Sequence, residues 1–255
     1  LGSIEVDFDR YYGAQTERSK RNFNIMYPHD KMPVEVIYAL AMIKEAACSV
    51  NANRQLISME IALAIKKACH EIYIGKFDDE FPLVIWQTGS GTHTNMNVNE
   101  VIANRASEII GGRRGEKSIV HPNDHVNCSQ SSNDSFPTAM HIAIAKSLTL
   151  YLLPSLKHLI SSFNRKINEF GHIIKIGRTH MQDAVPITFG QEFSGYVSHI
   201  EFCVQSIQRI LPVICELAIG GTAVGTGLNS PSGFDQDMCA ELNKLFMKCL
   251  LVNIV

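Results

Sequence analysis

Apolar residues recur every three or four positions from Ser135 to Phe170, at Ala139, Ile142, Ala143, Leu148, Leu152, Leu156, Leu159, Ile160, Phe163 and Ile167. That period is the mark of an amphipathic helix. A second long helix is expected from Thr188, which sits at capping-box spacing from Gln191, to about Leu217. Helices of roughly 30 residues extend about 45 Å, far past the usual three to four turns. Neither can bury its apolar stripe alone, so two in succession imply a long bundle. Pro154 and Pro212 fall inside them and should kink rather than end them.

Shorter helices are expected upstream. Residues 34–53 carry Val34, Ile37, Leu40, Ala41, Ala47 and Val50 at helical spacing, and a second helix follows Ser58 as N-cap and stops at Gly75. Asn97–Ile110 reads as a helix ending at Gly111-Gly112, Gly171 to Pro186 as a loop, and Ser232–Leu250 as a last helix. The expected class is therefore all-α: an N-terminal mainly helical domain, residues 1–130, followed by part of a long central helical bundle, residues 131–255.

With 23 Lys and Arg against 25 Asp and Glu, the net charge is −2, which argues against nucleic acid or an anionic membrane as partner. Phe81–Asn99 and Leu217–Phe234 lack charged residues, but the first is rich in Asn and Thr and the second carries five glycines, so neither reads as a membrane span. The seven cysteines form no Cys-x-x-Cys, which fits reduced thiols in a cytoplasmic or mitochondrial-matrix compartment. Leu1–Arg10 reads as neither signal nor transit peptide, and a first residue other than Met leaves room for a removed segment.

Three polar islands interrupt the helices. Gly89-Ser90-Gly91-Thr92-His93-Thr94-Asn95-Met96-Asn97 offers hydroxyls, amides and open glycine backbone before a helix, a surface suited to a carboxylate or merely to capping that helix. His121-Pro122-Asn123-Asp124-His125-Val126-Asn127 runs on to Ser129-Gln130-Ser131-Ser132-Asn133-Asp134. It admits three readings: a metal site, a small-anion pocket, or turn chemistry with Asp134 or Ser135 capping the helix that carries Pro137. In Gly177-Arg178-Thr179-His180-Met181-Gln182-Asp183-Ala184, His180 could exchange a proton near neutral pH with Asp183 or another carboxylate orienting it, or could simply be solvated. The run Gly220-Gly221-Thr222-Ala223-Val224-Gly225-Thr226-Gly227 lacks the endings of nucleotide-binding loops.

Seven segments occur together in a fixed order. They are Tyr12-Gly13-Ala14-Gln15-Thr16, Gly89-Ser90-Gly91-Thr92, Asn95-Met96-Asn97 with Asn99-Glu100, His121-Pro122-Asn123-Asp124, Ser129 to Asp134, Gly177-Arg178-Thr179-His180 and Gly220 to Asn229. This order resembles the class II fumarase family, within the fumarase/aspartase superfamily of homotetrameric lyases. The resemblance implies reversible hydration of fumarate to L-malate, without metal or organic cofactor, in active sites assembled from three subunits of a homotetramer. It implies that Ser90, Gly91, Thr92, Ser131, Ser132, Asn133 and Thr179 hold the substrate carboxylates, that His180 is catalytic, and that His121, Pro122, Asn123 and Asp124 form a second dicarboxylate site. Aspartate ammonia-lyases of the superfamily usually have Gln at the position of His180 and Asn at that of His121, so both histidines favour fumarase.

Three departures qualify the resemblance. The family's later loop, Ser-Ser-x-x-Pro-x-Lys-x-Asn, supplies the serine usually assigned as base and a carboxylate-binding Lys and Asn, and no such segment occurs in these 255 residues. Ser118, with Lys117 beside it, stands where the second site often has Arg, and Met247–Val255 is unlike family sequence. The expected function is fumarate hydratase. The alternatives are an aspartate ammonia-lyase relative or a truncated, non-catalytic protein that binds dicarboxylate or oligomerises.

Overall fold

The computed structural model describes residues 2–245 and 253–254; Cys249 and most of the stretch from Met247 onward lie outside them. The described chain is mainly helical, as its class required. In order come α1 (Ala14–Asn22), α2 (Val34–Asn53), α3 (Met59–Tyr73), α4 (Thr92–Ile109), α5 (Ser132–Ser147), α6 (Leu153–Phe170), the strands β1 (Ile174–Thr179) and β2 (Gln182–Thr188), α7 (Phe189–Ile214), β3 (Glu216–Leu217), α8 (Phe234–Leu245) and β4 (Asn253–Ile254). They group into two compact units, one of Leu1–Ala143 with Cys215–Val255 and one of Ile144–Ile214. This grouping by contact is drawn at other positions than the boundary near residue 130 expected from composition.

In the first unit α2 packs against α3, α4 and α8. Their shared core contains Leu40, Ile43, Ile65, Ile72, Ile102, Phe234, Met238 and Leu242, all fully buried. The expected 34–53 helix forms as read. Ser58 caps α3, its Oγ accepting from the Ile61 N–H at 3.3 Å. Gly111, at φ +88°, ends α4, and the Gly112 N–H returns to the Ser107 carbonyl at 2.8 Å. The start of α4 differs: it lies at Thr92 rather than Asn97. Thr94, Asn95, Asn97 and Asn99 are buried polar residues, so this part of the helix turns inward without an apolar period to announce it. Short β3 and β4 pair in parallel.

The segment leading into α1 is fastened by two carboxylates. Glu80 accepts from the Tyr11 and Tyr12 N–H groups at 2.7 and 3.3 Å. Glu100 accepts from the N–H groups of Gly13, Gln15 and Thr16 at 2.9, 2.9 and 3.1 Å and from Thr16 Oγ1 at 2.7 Å. Gly13 is the N-cap of α1 and has no side chain to cap it. Glu100 does so from α4, and it comes so near that a Cβ at Gly13 would lie 2.8 Å from its Oε1.

In the second unit α6 and α7 pack together, with Phe163 against Phe193 and Tyr196 at ring-centroid distances of 5.6 and 5.9 Å. The expected capping box is present: Thr188 Oγ1 accepts from the Gln191 N–H at 3.1 Å and Gln191 Oε1 from the Thr188 N–H at 2.9 Å. Pro154 does more than kink its helix. The turn before it, Leu148–Leu152, widens to π geometry, because proline has no N–H for the carbonyl four residues back. The expected loop from Gly171 to Pro186 is instead the antiparallel β1–β2 hairpin. Ile174 and Ile176 alternate with Lys175 as a strand should, but Pro186 weighs against a ladder, and a two-stranded ribbon admits it on its outer edge. Among the described residues one helix, Ser132–Phe170, has the length and mean hydropathy (1.3 over its most apolar 18 residues) of a bilayer-crossing segment. Bundle helices share both properties.

Replacing Glu100 by Ala leaves four donors at the start of α1 without an acceptor. Urea unfolding should register a loss of about 3 kcal/mol, the range for breaking a buried charged hydrogen-bond group, with the α1 amides exchanging first. A loss within the scatter of ordinary surface substitutions would show that Glu100 does not hold this segment.

Candidate functional site

The first two islands meet in space. Gly91 is the N-cap of α4 at φ +67°, with the Phe136 ring packed where a Cβ would stand, so this position requires glycine. Thr92 opens α4 and Ser132 opens α5. Their hydroxyls are 2.6 Å apart, and Ser90 Oγ lies 2.9 Å from Thr92 Oγ1. Two helix N-termini and a chain of three hydroxyls thus converge, with Ser90 exposed and Thr92 and Ser132 half-buried. Unpaired N–H groups and the positive ends of two helix dipoles favour an anion at such a place.

Ser131, not Asp134 or Ser135, caps α5. Its Oγ accepts from the Asn133 N–H at 3.2 Å while its own N–H donates to Asp134 Oδ1 at 3.0 Å, a reciprocal arrangement one turn earlier than expected. Asp134 is 1% exposed. Its Oδ1 also accepts from Ser135 Oγ at 3.1 Å, and its Oδ2 from the N–H groups of Gly220 and Thr222 at 3.2 and 2.8 Å. Asn133 points its Nδ2 at the Ala223 carbonyl at 2.8 Å. The glycine-rich run therefore lies directly against the start of α5.

Behind this surface lies a polar network that the sequence reading missed. Lys44, on α2, has no exposed surface at all. It donates to Asn127 Oδ1 at 2.8 Å and Gln130 Oε1 at 3.0 Å. Asn127 Oδ1 accepts as well from the Nδ2 groups of Asn95 and Asn99 at 3.1 and 3.3 Å. Asn51, seven residues after Lys44, donates to the Cys128 carbonyl and accepts from Ser129 Oγ. Burial pushes the Lys44 ammonium down to about 7, opposed by the charges of Asp134 and Cys69. The signal in the sequence was a lysine and an asparagine within the apolar stripe of a helix, Leu40, Ala41, Ala47 and Cys48.

The second proposed site is a π-helical turn, Pro122–Val126, capped by His121. The His121 Nδ1 accepts from the N–H groups of Asn123 and Asp124 at 3.3 and 3.2 Å, and the His121 N–H donates to His125 Nδ1 at 2.9 Å. Burial holds His125 below its ordinary value, countered by Asp124 and aided by His121. Asn123 and Asp124 are exposed, and Ser118 Oγ donates to Glu116 rather than toward this turn. Among the described residues no group of three or more His, Cys, Asp or Glu side chains is arranged to hold a metal ion.

Thr179 and His180 belong to the second unit. Thr179 pairs with Gln182 across a two-residue turn whose central residues, His180 and Met181, both have positive φ, +49° and +59°. Hairpin turns of this form normally take Asn or Gly there, so His180 is held in a costly backbone state with its side chain exposed. Asp183 does not orient it: its Oδ1 accepts from Arg178 Nε at 3.1 Å across the hairpin.

The chain matches the family described as Lyase over residues 2–252, a match that reaches into the stretch beginning at Met247. A fumarate hydratase of Schistosoma mansoni is 58% identical over 245 residues, 96% of this chain and 50% of that protein. A mitochondrial fumarate hydratase of Rattus norvegicus is 55% identical, over 96% of this chain and 48% of that protein. The crystal structure of recombinant class II fumarase from Schistosoma mansoni superposes with a TM-score of 0.92 at 57% identity, covering 96% of this chain and 51% of that one. The chain thus spans about half the length of the relatives it matches, and the resemblance carried by its motifs holds along nearly all of it.

The buried lysine has a measurable signature. Its folded-state value near 7 lies below the unfolded value of 10.5, so between the two the unfolded chain binds more protons and stability from this group rises with pH. Lys44→Met removes the titration. The stability difference, wild type minus Lys44→Met, should climb by up to about 1.4 kcal/mol per unit above about pH 7. Parallel pH profiles for the two proteins would show that Lys44 keeps an ordinary proton affinity.

Proposed function

Because the chain belongs to the lyase family, its match running over residues 2–252, we propose that it acts within a fumarate hydratase that adds water reversibly across the double bond of fumarate to give L-malate. The observation that carries this reading is the junction of the α4 and α5 N-termini through the Ser90, Thr92 and Ser132 hydroxyls. In the malate-to-fumarate direction a base removes a proton next to a carboxylate and creates an aci-carboxylate dianion, and an acid then assists hydroxide departure. The dianion is the costly species. Fixed neutral donors and one cation stabilise it without having to reorganise, and hydroxyls on helix N-termini supply the neutral donors.

Ser90, Gly91, Thr92, Ser131, Ser132, Asn133 and Thr179 are assigned to the carboxylates and His180 to the acid–base group, with His121, Pro122, Asn123 and Asp124 as a peripheral dicarboxylate site. The compartment is proposed as cytoplasm or mitochondrial matrix. A homotetramer is proposed as the working form. Exposed Tyr151, Leu159, Phe202, Ile210 and Val213 on and beside α6 and α7 support association between copies of the second unit.

Fumarate followed by its ultraviolet absorbance tests the assignment. The whole protein should turn over malate in preference to aspartate, and faster release of fumarate from aspartate would move it to the ammonia-lyases. His180→Asn should lower kcat by at least about a hundredfold, the lower bound for an acid–base group, while His121→Asn should cost far less. Equal losses would show the pocket to be misassigned.

The 255 residues by themselves contain no Ser-Ser-x-x-Pro-x-Lys-x-Asn segment. They should therefore show negligible turnover and should self-associate in sedimentation. A monomer with steady turnover would refute both statements.

A further inference from the structure

The glycine-rich run 220–227 is unused by the chemistry above, yet its geometry is tightly specified. Gly220 has φ +90°, and a Cβ there would lie 2.7 Å from the Asp235 Cβ at the start of α8. Thr222, a β-branched residue, is held at φ +58°, and its buried hydroxyl has no hydrogen-bond partner among the described residues. Such a state persists only where its surroundings impose it. Here the imposing contact is the Thr222 N–H on Asp134 Oδ2 at 2.8 Å, beside that of Gly220.

We propose that Asp134 is a positioning residue: by clamping the Gly220–Thr222 turn against the start of α5 it fixes the Ala223 carbonyl, and that carbonyl sets the plane of the Asn133 amide. This rests on the reading of Asn133 and Ser131 as dicarboxylate-binding residues. An Asn side chain has two hydrogens on Nδ2 and can rotate freely in water. Ala223 takes one of them at 2.8 Å, which leaves the other in a fixed direction for a carboxylate. The second arm of the clamp, Ser131 N–H on Asp134 Oδ1, holds the adjacent hydroxyl. One buried carboxylate thus joins two donors of the site to a turn far away in sequence. Only an acceptor with two oxygens can do this. In Asp134→Asn one of them becomes an NH₂ group, which must face either the Gly220 and Thr222 donors or the Ser131 and Ser135 donors.

Nuclear magnetic resonance on the 255-residue chain tests this without needing turnover, with L-malate as the probe. In Asp134→Asn the Gly220 and Thr222 amides should exchange at least about tenfold faster and malate should bind about tenfold more weakly, the loss for a hydrogen bond to a charged group. The Asn133 Nδ2 hydrogen that Ala223 accepts should move to the shift of a solvated asparagine and exchange faster, while the α2 and α3 amides stay protected. A folded variant with unchanged Gly220, Thr222 and Asn133 signals, or with released signals and unchanged malate affinity, overturns the proposal. If the variant does not fold, the wild-type chain decides: saturating malate must slow exchange at Gly220 and Thr222, since coupling is reciprocal, and no change there overturns it. If the 255-residue chain binds no malate, the affinity arm passes to the whole protein, where absence of binding refutes the dicarboxylate reading, and the Asn133 and turn signals of the variant still decide the clamp.

Discussion

An ionised carboxylate can be buried only if hydrogen-bond donors surround it, and the first unit is organised by that requirement. Glu100 draws its donors from the segment before α1. Asp134 draws its own from Ser131, Ser135, Gly220 and Thr222. In both cases most donors are backbone N–H groups that no helix or strand satisfies. The chain around them cannot drift without stranding either the carboxylate or the donors, so irregular segments gain the rigidity of regular ones. Position in sequence is no guide to these partnerships, since Asp134 meets Gly220 from the far side of the α6–α7 segment.

The helices were legible because their information is local. The 34–53 stripe, Ser58 before α3, Gly111 after α4 and the Thr188–Gln191 box each act within one turn of their own residue. The motif order also drew attention to segments whose Ser90, Thr92 and Ser132 hydroxyls do meet. What escaped reading was non-local. The first turn of α4 is buried on polar residues, so its start had no apolar period. Lys44 drew no attention in the sequence because its acceptors, Asn127 and Gln130, come from the second island, more than 80 residues away. Asp134 looked like a helix cap because a cap and a clamp use the same side chain, and only the position of the 220–222 turn tells them apart. The β1–β2 hairpin was obscured by Pro186, whose missing N–H costs nothing on the outer edge of a two-stranded ribbon.

Strain follows the same division. Positive φ at Gly91, Gly111 and Gly220 is inexpensive, because glycine has no Cβ to clash. At His180, Met181 and Thr222 it is not, and these residues stand at the hairpin tip and in the clamped turn. A substitution to glycine would relieve the backbone there, so the side chains are kept against a local penalty. For His180 the imidazole is a sufficient reason under the proposed chemistry. For Thr222 the side chain makes no hydrogen bond, and nothing in the structure explains why it is threonine.

The candidate surface formed by Ser90, Thr92 and Ser132 is built from neutral donors, while the ionisable Lys44 and Asp134 are withdrawn from it. This separation suits a reaction in which charge grows on the substrate. Hydroxyls and helix N–H groups strengthen their bonds as charge grows, and their orientation is already fixed by Thr92–Ser132 and by the bonds of Ser131 and Asn133. The withdrawn groups then act through geometry: Lys44 holds the Asn127–Gln130 turn, Asp134 holds the Gly220–Thr222 turn, and the donors bound to them are left with little freedom to relax.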